Sequence, residues 1–230
     1  MQFIKPEIFT ATLASKVQLT ADTWEFDFTF TPGSFPYKAG HFAMMIFDHE
    51  GKTEQRAYSI SSPPSSNSFQ ICVKLIPNGK GSTFLANLPL GAKVQFKGPF
   101  GMFFIKDDNA ADLILVATGT GIGPMKSIIL DLLARGDGRR IELLFGVRHQ
   151  QGLLFTDLLA ELSAKHPNFT YQITLSSIDG RVTAYLDQFN FAKTAAHLYI
   201  CGSGAMVKDV RNFALEQGMD KAAIHVENFG

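Results

Sequence analysis

Cysteine is nearly absent. Only Cys72 and Cys201 occur in the 230 residues, too few for the four thiolates that an iron–sulfur cluster usually requires, so any such centre is expected on a partner. Net charge is lacking as well: 21 Lys and Arg balance 21 Asp and Glu, and no global field draws the chain to nucleic acid or an anionic membrane. No apolar run of roughly 18 residues occurs, and Lys5, Pro6 and Glu7 interrupt what would have to be a signal core. These absences lead us to expect a protein with no integral membrane segment, no nucleic-acid partner and no metal site, in the cytoplasm. Oligomeric state leaves no trace in the sequence.

Apolar residues are plentiful, at 46% against 18% charged, enough for two compact domains of roughly 100 residues each. Up to Phe104 the pattern is that of strands. Thr23–Phe30, His41–Phe47 and Phe69–Leu75 are short runs bounded by Gly, Pro, Ser and Asn. Within the first, Trp24, Phe26, Phe28 and Phe30 alternate with Glu25, Asp27 and Thr29, the period of a strand with one buried face. Many short strands separated by turns predict an antiparallel barrel.

Beyond Lys106-Asp107-Asp108-Asn109 the regime changes. Apolar runs at Leu113–Ala117, Ile141–Val147, Tyr171–Leu175, Leu198–Cys201 and Ile224–Val226 alternate with helical spacing over Pro124–Ala134, Leu153–Lys165 and Ala205–Gln217. That alternation predicts a doubly wound parallel sheet. The expected division is residues 1–107, an antiparallel β-barrel, and 108–230, an α/β domain.

In the first half, Arg56-Ala57-Tyr58-Ser59-Ile60-Ser61-Ser62 runs into Pro63-Pro64, which ends a strand. Arg56 and Tyr58 should share one face, a guanidinium for a phosphate tail beside a phenol ring for a flat heterocycle. Downstream, Gly79-Lys80-Gly81-Ser82-Thr83 would let backbone approach a phosphate closely, with Ser82 capping a short helix. Gly98-Pro99-Phe100-Gly101 reads as a tight turn without chemistry.

In the second half, a strand ends at Thr118 and runs into Gly119-Thr120-Gly121-Ile122-Gly123-Pro124. Pro124 suits a first helical turn whose amides could hold a pyrophosphate beyond the strand ends. The glycine spacing is not that of the Rossmann fingerprint, and the following strand ends in Gly146-Val147-Arg148 with no carboxylate for a ribose. A second strand ends in Cys201-Gly202-Ser203-Gly204-Ala205-Met206, a thiol placed before glycines and a helix. No His or Asp adjoins Cys201 to activate it as a nucleophile.

Taken in order, these strings resemble the motifs of the ferredoxin–NADP reductase superfamily over nearly the whole chain. The resemblance implies a flavin-binding barrel and an NAD(P)-binding α/β domain, with FAD as cofactor and NAD(P)H as hydride donor. It places Tyr58 on the isoalloxazine, Arg56 and Ala57 along the cofactor, Ser59 near flavin N5, and Gly79, Gly81, Ser82 and Thr83 at the second phosphate. Thr118, Gly119, Thr120, Gly121, Gly123 and Pro124 resemble the pyridine-nucleotide loop, and Cys201, Gly202 and Met206 the element beside the nicotinamide, with Cys201 shaping hydride approach. Glu227 resembles the family's carboxylate near the active site. Phe229 stands where the plant-type ending has Tyr, and Gly230 extends that ending. Arg148, Ser176, Ser177 and Arg181 are the candidates around the ribose 2′ position, and both NADH and NADPH remain open as donor. The implied activity is hydride transfer to flavin, with electrons passed on to a ferredoxin, flavodoxin or oxygenase component. The alternatives are a reductase using free flavin as substrate, and a non-catalytic electron-transfer subunit of a larger complex.

Overall fold

The computed structural model describes residues 5–31, 35–64, 68–106 and 111–229. The chain divides into a first compact unit, Met1–Phe104 with Lys126–Asp131, and a second, Ile105–Met125 with Leu132–Gly230. The expected boundary between residues 107 and 108 lies outside the described residues.

Six strands build the first unit: β1 (Glu7–Gln18), β2 (Thr23–Phe30), β3 (Phe42–His49), β4 (Lys52–Ser59), β5 (Ser68–Lys74) and β6 (Lys93–Phe100), with helix α1 (Lys80–Asn87) before the last. The sheet order is β4-β3-β6-β1-β2-β5, and every pairing is antiparallel. The sheet curls into a half-barrel, and a single bridge between Ile60 and Ile71 joins its two edges. Phenylalanine is the commonest residue of its interior. Phe9 stacks on Phe35 at 3.9 Å between centroids, and Phe69 meets Phe96 edge to face at 4.9 Å, geometries that add to plain area burial.

Strand β2 buries Phe26 and Phe28 completely, as its alternation predicts. The opposite face is not simply wet. Glu25 and Asp27 are half-buried, and within this unit Lys126 covers Glu25: its Nζ donates to Glu25 Oε1 at 2.5 Å and to Gln70 Oε1 at 3.1 Å. The string Gly98-Pro99-Phe100 is also different from the expected turn. It forms the end of β6, and the turn falls one residue later at Gly101, where φ is +98°.

The second unit carries β7 (Leu113–Thr118), α2 (Ile122–Ala134), β8 (Ile141–Val147), α3 (Thr156–Lys165), β9 (Phe169–Leu175), β10 (His197–Ser203), α4 (Gly204–Glu216) and β11 (Ile224–Phe229); the middle of α2 clusters with the first unit. The order β11-β10-β7-β8-β9 is parallel throughout, the doubly wound sheet that the alternating pattern predicts. Both faces of its central strands are buried. Ile114, Val116, Leu144, Leu198 and Ile200 pack with Val207, Val210 and Ala214 of α4, while Leu115, Leu143, Phe145, Tyr199 and Cys201 point the other way and are equally buried.

All three expected helix starts move, that of α4 by one residue to Gly204 and the other two by more. Helix α2 begins at Ile122, before Pro124, which still sits in the first turn where its missing N–H costs no hydrogen bond. Helix α3 begins at Thr156 and not at Leu153, because Phe155 adopts φ +58°, and a left-handed residue cannot continue a right-handed helix backwards. Among the described residues no helix is long and apolar enough to cross a membrane, and no group of three or more His, Cys, Asp or Glu is placed to hold a metal ion.

Candidate flavin and pyridine-nucleotide sites

In the first unit Arg56 and Tyr58 project from β4 towards the start of α1. A β-carbon on Gly81 would fall 2.5 Å from the Tyr58 hydroxyl and 3.2 Å from Arg56 Cγ. The two side chains therefore share a face, and the bare backbone of Gly81 fits against both. Any larger residue there would displace the phenol or the guanidinium stem. Tyr58 also packs on the barrel core, and burial raises its hydroxyl to about 12, so the ring is a neutral phenol at any physiological pH.

Helix α1 differs from expectation at its cap. Its N-cap is Gly79, which has no side chain to cap with, and Ser82 lies inside the first turn. Its Oγ instead accepts the Ile76 N–H at 2.9 Å, tying the preceding loop to the helix. The backbone N–H groups of the first turn are thereby left without a side-chain cap, the arrangement that suits an anion. The sequence reading missed two charged groups here. Lys80 Nζ pairs closely with Glu54, and Arg56 Nη1 donates to the same carboxylate at 3.1 Å. Hydrogen bonding to Lys80 above all, with that to Arg56, lowers the Glu54 pKa. Two cations share one carboxylate beside the helix start, so the local balance stays positive, as a pyrophosphate requires. Lys80 lay in plain sight between the two glycines.

The Ser-rich turn after Ser59 is fastened from several sides. Ser61 N–H donates to Gln70 O at 2.7 Å, Ser62 Oγ accepts from Gln70 N–H at 2.9 Å, and the Tyr37 hydroxyl donates to Pro63 O at 2.8 Å. Ser61 and Ser62 are buried and serve the turn, while Ser59 remains half-buried at the strand end.

In the second unit the ends of β7 and β10 meet backbone to backbone. Gly119, Thr120 and Gly121 form one turn of 3-10 helix between β7 and α2, with Gly119 at φ +54°. A β-carbon at Gly121 would lie 2.3 Å from the Cys201 carbonyl oxygen, and one at Gly202 would lie 2.2 Å from Thr118 Oγ1 and 2.7 Å from Met206 Cε. The strand order reverses between β7 and β10, and in open parallel sheets that point is where ligands gather. Gly123 and Pro124 follow in the first turn of α2.

Cys201 is fully buried. In parallel register it stands beside Ala117 on one side and Glu227 on the other. Burial, with the Glu227 charge adding to it, pushes the thiol well above its ordinary pKa, so Cys201 carries its proton and is no nucleophile. Phe229 pairs with Ser203, whose Oγ caps α4 at Met206 N.

The turn after β9 lies along the end of β8. Ser176 N–H donates to Val147 O at 2.9 Å and Ser177 N–H to Arg148 O at 3.1 Å, which brings Arg148, Ser176 and Ser177 into one exposed group. Arg181 is exposed as well and precedes the 3-10 helix Val182–Phe189. The structure adds a carboxylate that the strand-end reading did not anticipate: Asp179 Oδ2 turns back to accept the Leu175 N–H at 3.1 Å.

A barrel with a phosphate-ready helix start and a parallel sheet with a glycine-lined switch point define a module for two nucleotides. Residues 10–105 match an oxidoreductase FAD-binding domain and residues 115–212 an oxidoreductase NAD-binding domain. Ferredoxin–NADP reductase B of Sorangium cellulosum is 32% identical over 242 residues, covering 98% of this chain and 99% of that protein. The reductase component of phenol 2-monooxygenase from Pseudomonas sp. strain CF600 is 41% identical over 138 residues, 59% of this chain but only 38% of that protein. The chain likewise spans 55% of the toluate 1,2-dioxygenase electron transfer component of Pseudomonas putida, so several oxygenase reductases are considerably longer. The fold matches Amycolatopsis cytochrome P450 reductase with a TM-score of 0.87 at 24% identity, over 97% of this chain and 70% of that one. It matches Plasmodium falciparum ferredoxin–NADP+ reductase with a TM-score of 0.85 at 22% identity, over 96% of each chain. The chain belongs to the ferredoxin–NADP reductase family of FAD- and NAD(P)H-dependent oxidoreductases.

Proposed function

We propose that this protein takes hydride from NAD(P)H onto bound FAD and passes electrons to a separate protein acceptor, a ferredoxin, a flavodoxin or an oxygenase component. Residues 1–107 form the FAD half and residues 108–230 the NAD(P) half. The observation that carries the reading is Gly81, whose bare backbone fits against Arg56 and Tyr58 together and so joins two sequence motifs into one cofactor seat. FAD, when bound, supplies the hydride-accepting chemistry. The residues supply the rest. Arg56 neutralises phosphate, and the α1 start from Gly79 to Thr83 offers N–H groups to it. Tyr58 gives a neutral stacking face, with Ala57 beside it, and Ser59 offers a hydroxyl near flavin N5.

The loop from Thr118 to Pro124 holds the nucleotide pyrophosphate, with Gly202 and Met206 shaping its neighbour strand end. Protonated Cys201 limits the approach of the nicotinamide sterically, Glu227 supplies a carboxylate in the same register, and Phe229 covers the ring site. Arg148, Ser176, Ser177 and Arg181 surround the ribose 2′ position. Free Cys72 and Cys201 fit a reducing compartment, the cytoplasm.

The test is an anaerobic titration of the FAD-reconstituted protein with NADH and separately NADPH, following the flavin absorbance near 450 nm, a typical oxidised-flavin position. Bleaching by one or both nucleotides supports the reading and identifies the donor. A bound flavin that neither nucleotide bleaches overturns it and makes the chain a non-catalytic subunit.

A further inference from the structure

Strand β11 is an edge strand with a single neighbour, β10. It carries Glu227 and Phe229, and its alternate residues Val226 and Asn228 are exposed. Six residues paired on one side are a weak anchor for a functional carboxylate. The sequence offered no account of His225, which stands two residues before Glu227 and on the same face of the sheet.

The His225 ring lies nearly parallel to Tyr199, with centroids 4.3 Å apart and 20° between planes. On another side it meets His197: His197 Nδ1 and His225 Nε2 are 2.9 Å apart, and the rings are inclined by 17°. Tyr199 is fully buried, so the surface that receives His225 is part of the rigid sheet. The register is Tyr199 beside His225 and Cys201 beside Glu227. The ring contact thus sits directly below the Cys201 and Glu227 pair on the same two strands.

We propose that His225 is a positioning residue: held against Tyr199 and His197, its ring locks β11 in register and so places Glu227 and Phe229 for hydride transfer. The proposal rests on the reading that Glu227 belongs to the hydride-transfer site. It uses stacking and one hydrogen bond between neutral imidazoles, one donating and one accepting.

Burial above all, with the charged groups around them, keeps both rings neutral. Among the described residues Lys106 faces both imidazoles, Arg139 faces His197 and Tyr199, and Asp220 opposes them at His197. Burial first, then His197 and Lys106, lower His225 to about 4. The clamp is intact through the neutral range and opens only when acid protonates both rings, since two imidazolium groups cannot share that hydrogen bond.

The experiment compares His225→Ala, His225→Phe and Glu227→Gln in the FAD-loaded full chain, by stopped-flow flavin reduction at saturating nicotinamide nucleotide. Loss of the ring should lower the limiting rate about tenfold with little change in nucleotide affinity, the mark of lost positioning at the reacting centre. Phe restores a ring face for Tyr199 and should recover most of that rate. A full limiting rate in His225→Ala, or no recovery with Phe, overturns the clamp. If Glu227→Gln reacts at the wild-type rate, the reading of Glu227 fails and the proposal falls with it. If Glu227→Gln is slow while His225→Ala is not, the clamp alone fails. Should His225→Ala not fold, the wild-type protein decides: amide-exchange protection at Glu227 and Phe229 should drop once acid has protonated both His225 and His197, and protection unchanged there overturns the proposal.

Discussion

The backbone of Gly121 lies against the carbonyl of Cys201 so closely that a β-carbon would stand 2.3 Å from the oxygen. The β7–α2 turn and the end of β10 therefore act as one piece, and the loop proposed to receive the nucleotide pyrophosphate is set by the strand that carries the thiol. Gly121→Ala must push the two apart. We expect it to weaken nicotinamide-nucleotide binding at least about tenfold, because misplaced backbone donors lose their partners, while FAD content is retained. Isothermal titration with NAD+ and NADP+ on the FAD-loaded variant checks this, and unchanged affinity would contradict it.

Glu54 pairs with both cations of the proposed FAD seat, Arg56 and Lys80. Arg56→Ala and Tyr58→Ala are expected to shed FAD on dilution. Glu54→Gln is expected to bind FAD more tightly, by about threefold to tenfold, since a freed guanidinium and ammonium pair with phosphate instead. Quenching of flavin fluorescence on titration measures all three, and weaker FAD binding by Glu54→Gln would show that the carboxylate orients the cations and does not compete.

Lys126 is buried with Glu25 and Gln70 within the first unit, its side chain 6% exposed. Lys126→Met leaves the Glu25 carboxylate half-buried with its cation gone, and should cost about 3–5 kcal/mol in urea denaturation. Adding Glu25→Gln should recover part of that loss, because the uncompensated charge is removed. A Lys126→Met variant as stable as the parent would mean that water reaches Glu25.

Two histidines set an acid limit on stability. Burial, with Lys38 nearby, lowers His41 to about 4, and burial with His197 and Lys106 does the same to His225. Both groups stay neutral in the folded chain at a pH where the unfolded chain, with pKa values near 6.5, takes up protons. The unfolded state then binds more protons, so stability falls as pH drops from about 6.5 towards 4 and is insensitive to these groups above that window. Melting temperatures across that range should decline less steeply in His225→Phe. An identical slope would assign the acid sensitivity elsewhere.

How much of this was legible beforehand depends on how local each feature is. Strand β2 appears with the predicted bounds, Thr23–Phe30, and β8 with its predicted Ile141–Val147, because alternation and apolar runs act over neighbouring residues. The glycine-rich strings could be read for the same reason: strand, turn and helix start follow one another without a break. Ser82 could not be placed on its cap or inside its helix by sequence, since a serine among glycines suits either position and only the hydrogen bond to Ile76 decided between them. Phe155 gave no warning of its left-handed backbone.

By itself, then, the sequence determined the two regimes and the order of the motifs, and offered the candidate groups for phosphate and flat rings, because those properties reside in contiguous residues. Tertiary structure alone decided which charges and rings stand together. Glu25 and Lys126 are 101 residues apart in the chain, Glu54 and Lys80 are 26 apart, and His197 and His225 are 28 apart. No periodicity links such pairs. They meet because strand register and helix packing bring their backbones within reach, and burial then gives each contact its consequence.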